Sequence, residues 1–113
     1  MADGAGKAGA LSTEALNEII DRIVKIAQPD KIILFGSAAR GTMGRDSDVD
    51  LLVVKSGDYH RRRLAQDIRL HLWGIKQAVD VVVVKPDDIA QYGNENSLVI
   101  APALREGRVV YGV

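Results

Sequence analysis

The 113-residue chain carries 15 Lys and Arg against 15 Asp and Glu, with two His, three Pro and no Cys. Its 47% apolar and 27% charged residues describe one soluble globular domain, and zero net charge argues against a general polyanion binder. Lack of Cys excludes disulfides, Cys-ligated zinc and thiol chemistry, and no apolar run approaches the roughly 20 residues that span a bilayer. Residues 1–10 (MADGAGKAGA) are small, Gly-rich and aperiodic, so they read as a flexible leader ahead of a single domain over 11–113. With one Lys and no apolar stretch they do not form a secretory signal, and a cytoplasmic location is expected.

Ser12 is a suitable N-cap, Glu14 complements the helix dipole, and Leu11 with Leu16 predicts a hydrophobic staple. Leu16, Ile19, Ile20, Ile23, Val24 and Ala27 then recur at helical spacing until Pro29. Lys31 to Phe35 (KIILF) predicts a buried strand, Gly36 to Ser47 a Gly-, Ser- and Arg-rich loop, and Val49 to Val54 a second strand. Ser56-Gly57-Asp58 predicts a turn, with Asp58 capping a helix that runs to about Trp73. Leu64, Ala65, Ile68 and Leu72 form its inward stripe. Leu70 and Trp73 project away from that stripe and are expected to pack under the C-terminal segment, with an exposed patch for another chain as the alternative. Gly74 ends the helix, Val79 to Val84 predicts a third strand, and Pro86 to Tyr92 a short helix ended by Gly93. Ser97 to Glu106 reads as a helix that Pro102 kinks or shortens. Gly107 is a natural left-handed C′ residue, and Arg108 to Tyr111 predicts an edge strand.

The informative stretch is Gly36-Ser37, then ten residues, then Asp48-Val49-Asp50. Asp48 and Asp50 stand two apart at a strand start, so both point to one face, where like charges repel unless a cation lies between them. A third acid, Asp80, opens the otherwise apolar strand AVDVVVV. If the first two strands are antiparallel and a helix crosses over between the second and third, all of these residues converge on one sheet edge. The chemistry that fits is a carboxylate cluster holding one or two Mg²⁺, as used for in-line phosphoryl displacement. Gly36 permits close backbone approach, and Ser37 offers a hydroxyl and an amide to phosphate oxygens. Arg40 and Arg45 lie in the loop beside the acids and fit either of two roles, neutralising them or meeting phosphate; Asp46 reads as a turn residue. The run His60-Arg61-Arg62-Arg63 falls at the opposite sheet edge, as a solvated helix start or a contact for an acidic or RNA-bearing partner. His60 has no companion at metal-ligand spacing and reads as a surface residue.

Gly36-Ser37, the ten-residue gap, Asp48-Val49-Asp50 and the later Asp80 resemble the signature of the DNA polymerase beta-type nucleotidyltransferase superfamily. The small size resembles its minimal branch, the antitoxin partners of HEPN-domain ribonucleases, from the first helix to the closing REGRVVYG. The resemblance implies an α/β fold: a small mixed sheet of three to four strands flanked by helices, mainly on one face. It implies that Asp48 and Asp50 ligate metal, and that Asp80 ligates the metal near the acceptor and helps deprotonate its hydroxyl. It further implies that Gly36 and Ser37 hold the triphosphate and that Arg40 meets the phosphates. The implied reaction moves a nucleoside monophosphate, AMP from ATP with Mg²⁺, onto a Tyr hydroxyl of a cognate HEPN toxin, in complex with that partner. Alternatives are a non-catalytic module that neutralises a toxin by covering it, and a transferase acting on a small molecule. Neither a membrane nor a sequence-specific nucleic-acid partner is expected.

Overall fold

The computed structural model describes residues 12–36, 49–75, 77–92 and 100–112. The N-terminal leader, Leu11 of the staple, Ser37, Arg40, Arg45, Asp46, Asp48, Gly93 and Ser97 lie outside the described residues.

Helix α1 (Thr13–Ala27) begins where Ser12 accepts a hydrogen bond from the Ala15 N–H at 3.0 Å, satisfying one of the donors that every helix start leaves open. Ile19, Ile23 and Ala27 of its apolar stripe are buried. The helix closes at Gln28, which takes a left-handed conformation (φ 47°) and returns its N–H to the Val24 carbonyl before buried Pro29 redirects the chain.

Strands β1 (Lys31–Phe35), β2 (Val49–Val54) and β3 (Val79–Val84) stand where the apolar runs predict them. β1 and β2 are antiparallel, whereas β2 and β3 are parallel. Their connection is the crossover helix α2 (Arg61–His71), which the parallel arrangement demands. Helices α3 (Pro86–Tyr92) and α4 (Ile100–Glu106) lead to strand β4 (Arg108–Gly112), which adds to β1 antiparallel and gives the order β3-β2-β1-β4.

Side-chain alternation splits the core by sheet face. Ile32, Leu34, Val49, Leu51, Val53, Val81 and Val83 point to the face covered by the two long helices, where they meet Ile19, Ile23, Ile68 and Leu72. Ile33, Leu52, Val54 and Val84 join a smaller cluster with Ala103 of α4, against which Phe35, Val82 and Ile89 pack. The helices thus cover mainly one face, and the two seven-residue helices give the other a thinner layer. Burying one Ile or Leu side chain in the larger layer stabilises the fold by about 1.5–3 kcal/mol.

Three expectations are corrected. The cap of α2 is His60, whose Nδ1 accepts from the Arg63 N–H at 3.4 Å, and not Asp58. Tyr59 is tucked in by its hydroxyl, which donates to the Lys55 carbonyl at 2.8 Å and lies 3.3 Å from the Val84 carbonyl, so the helix starts only after it. Leu70 and Trp73 do not pack under the C-terminal segment: they are 64% and 83% exposed. β4 joins the opposite edge of the sheet and α4 covers the opposite face, so the C-terminal segment does not cover Leu70 or Trp73. Gly107 closes α4 through its N–H to the Ala103 carbonyl at 2.8 Å, yet without a left-handed φ. Glycine is needed there for closeness, because a Cβ would run into the Ala103 carbonyl and the Ile33 side chain. Pro102 sits in the first turn of α4, where a missing N–H breaks no helical hydrogen bond.

Candidate active site

Asp50 and Asp80 are register partners on neighbouring parallel strands. Strands so paired lie about 4.8 Å apart, and the Val49 N–H to Ala78 carbonyl bond (2.8 Å) ties their starts together. Both aspartates share parity with the residues of the smaller cluster, so both emerge on the thinly covered face. Asp50 is half-buried and Asp80 exposed.

Phe35 is the antiparallel partner of Asp50, so one row across three strands reads Phe35, Asp50, Asp80. The apolar row behind it is Ile33, Leu52, Val82. Phe35 was legible in the sequence only as the end of a strand; its place as the apolar flank of the acidic row follows from register. Directly after it, Gly36 turns the chain with φ 75°, a left-handed conformation that glycine adopts without a Cβ penalty. A Cβ at Gly36 would overlap the carboxylate of Asp50. The Gly of the Gly-Ser pair and the second acid of the Asp-x-Asp pair are therefore in direct contact across a sequence gap of more than a dozen residues.

Of the predicted site, Gly36, Asp50 and Asp80 are brought together; Ser37, Arg40 and Asp48 lie outside the described residues. No group of three or more potential metal-ligating side chains occurs among the described residues, which do not include Asp48. The donors present suit Mg²⁺: they are carboxylate oxygens, they share one sheet end, and their mutual repulsion falls when a cation lies between them. Glycine beneath Asp50 leaves its carboxylate the room that any side chain would take.

The Arg run is at the other sheet end, as its place after β2 predicts. Arg61 pairs with Asp88 at 3.0 Å, and Asp88 also accepts the Lys85 N–H at 2.9 Å. Tyr59 lies between Lys55 and Lys85, whose ammonium groups are 6.0 and 5.3 Å from its ring centre. Burial pushes the Tyr59 hydroxyl above the ordinary tyrosine pKa; nearby Arg61 opposes the shift, and Asp88 and Asp30 add to it.

The family model for the nucleotidyltransferase domain matches residues 15–110. No match emerged among curated proteins. Among solved structures, a variant of the toxin–antitoxin MntA–HpeT is similar at 24% identity with a TM-score of 0.58, over 86% of this chain and 73% of that one. A toxin–antitoxin with AMP-PNP is similar at 24% identity and a TM-score of 0.56, over 85% and 73% of the two chains. The tri-AMPylated HEPN toxin of Shewanella oneidensis in complex with MNT antitoxin matches at 20% identity and a TM-score of 0.56, over 91% and 74%. These likenesses show a shared fold. No helix among the described residues is long and apolar enough to cross a membrane. With the family match running from the first helix into the last strand, the chain belongs to the nucleotidyltransferase domain family.

Proposed function

We propose that this chain is an Mg²⁺-dependent nucleotidyltransferase that moves AMP from ATP onto a hydroxyl of a HEPN-type ribonuclease toxin, and that it acts as the antitoxin. The observation that carries this reading is the register pairing of Asp50 with Asp80, on one face and beside Gly36. Similarity to a toxin–antitoxin with AMP-PNP and to an AMPylated HEPN toxin complex supports ATP and a protein acceptor.

Asp48, Asp50 and Asp80 would hold Mg²⁺, whose chemistry when bound is to stabilise charge on the phosphoryl group in flight. Gly36 and Ser37 hold the triphosphate through the backbone amide and the hydroxyl, and Arg40 meets its phosphates. The acceptor hydroxyl attacks the α-phosphorus in line, forming the new oxygen–phosphorus bond as the bond to the β-phosphate oxygen breaks. Pyrophosphate leaves with the electron pair. Asp80, exposed on edge strand β3, helps to take the hydroxyl proton.

The test is incubation with α-labelled ATP, Mg²⁺ and the HEPN-type protein encoded beside this chain. Wild type should label the acceptor and Asp50→Asn should not. An unlabelled acceptor with wild type, or equal labelling by Asp50→Asn, would remove the proposal.

A further inference from the structure

Helix α2 has two faces of opposite character. Leu64, Ala65, Ile68 and Leu72 pack into the larger core layer, whereas Arg62, Gln66, Arg69, Leu70 and Trp73 fall on the exposed side at helical spacing. Trp73 and Leu70 are the most exposed large apolar side chains among the described residues. Trp is a residue type that dominates interface energetics when buried. The turn that bears Trp73 is held in place: Arg22 donates to the carbonyls of His71 (3.2 Å) and Trp73 (3.0 Å) and is itself paired with Glu18 at 2.6 Å. Beside it lies an open groove of about 370 Å³, lined by Ala15, Glu18, Gly74, Ile75 and Gln77. An exposed aromatic on a fixed turn next to a groove is preorganised for docking.

Position and charge narrow the occupant. α2 runs from the end of β2 back to the start of β3, so Trp73 stands at the same sheet end as Asp50 and Asp80, with α2 on the opposite face of the sheet. The helix carries four Arg against one acid, Asp67. Arg61 is engaged by Asp88 and Arg69 by the Val81 carbonyl at 3.3 Å, while Arg62 and Arg63 stand exposed on the first turn. Two engaged arginines, a neutral chain and a Leu–Trp pair favour a protein surface over a nucleic acid.

We infer that the outer face of α2, from Arg62 to Trp73, with the adjoining groove, docks the protein acceptor, and that the acceptor meets it with an acidic surface carrying an apolar knob. The inference rests on the transferase reading for the identity of the acceptor. The Trp73 end of this face stands at the sheet end that carries the acidic row.

The experiment uses the full chain and the HEPN-type protein of the transfer assay. Acceptor binding is measured by calorimetry, with transfer rates at varied acceptor and varied ATP, for wild type, Trp73→Ala/Leu70→Ser, Arg62→Glu and Asp50→Asn. Both surface variants should raise the acceptor KM and Kd at least tenfold, leaving the ATP KM and the thermal melt unchanged. Asp50→Asn should abolish transfer and keep acceptor binding, which separates the two readings. Should wild type bind the acceptor through Trp73 and pass no label, the surface stands and the transferase reading falls. Unchanged acceptor affinity in Trp73→Ala/Leu70→Ser, or no binding by wild type, overturns the inference. So would a dimer of the chain alone that the same substitutions dissolve, or an RNA oligonucleotide whose binding Arg62→Glu removes without affecting the acceptor.

Discussion

The two ends of the β2–β3 pair differ in how they treat charge. At the far end the acids are engaged by the chain: Asp88 takes both the Arg61 guanidinium and the Lys85 backbone N–H, and the Asp30 carboxylate accepts the Ser56 N–H at 2.9 Å. At the near end the register sets two carboxylates side by side on a thinly covered face, with a glycine making room for one of them. The first arrangement serves folding, since Asp88 and Asp30 are each engaged within the chain. The second sets two like charges within reach of each other, a repulsion that a cation between them would lower. A chain with equal numbers of acids and bases can thus mix its charges at one end and gather like charges at the other.

The sharpest way to break the contrast is to neutralise the near end. Asp50→Asn and Asp80→Asn should each lower label transfer about a hundred- to a thousandfold. Gly36→Ala should lower transfer more than tenfold by displacing the Asp50 carboxylate, and destabilise by about 1–2 kcal/mol because the left-handed backbone then carries a Cβ. Rate and urea midpoint should fall together in that variant.

At the far end the effects should be on stability alone. Tyr59→Phe removes a hydroxyl held by the Lys55 carbonyl and should cost about 1 kcal/mol by denaturant titration. The raised Tyr59 pKa also gives a sign. The folded state favours the neutral hydroxyl, so its contribution is full below about pH 10 and is lost as pH rises through the folded pKa. Tyr59→Phe should therefore show a shallower alkaline decline in stability than wild type. Smallest of all, Arg61→Ala breaks a half-exposed ion pair and should cost less than about 1 kcal/mol, with transfer within twofold of wild type.

Much of the fold was legible in the sequence because local signals agreed with one another. The apolar runs KIILF, VDLLVV and VDVVVV become strands at the predicted limits, and Ser12 caps the first helix. The parallel β2–β3 pair follows from the helix between them, and that alone predicts Asp80 at the same end as Asp50. What was not legible depends on distant partners. Asp58 has the better side chain for a cap, but the docking of Tyr59 against Lys55 and Val84 moves the helix start to His60. Gly107 has the sequence position of a left-handed C′ residue, while its actual constraint is the closeness of the Ala103 carbonyl and of β1. Trp73 could be assigned to an exposed face only once β4 was known to join β1.

The central claim is that Asp50 and Asp80 share a divalent cation, and its most direct test is Mn²⁺ binding followed by electron paramagnetic resonance, with a non-hydrolysable ATP analogue present. Asp50→Asn and Asp80→Asn should each weaken Mn²⁺ affinity at least tenfold, and Arg61→Ala at the far end should leave it unchanged. Undiminished Mn²⁺ affinity in both aspartate variants would contradict the account.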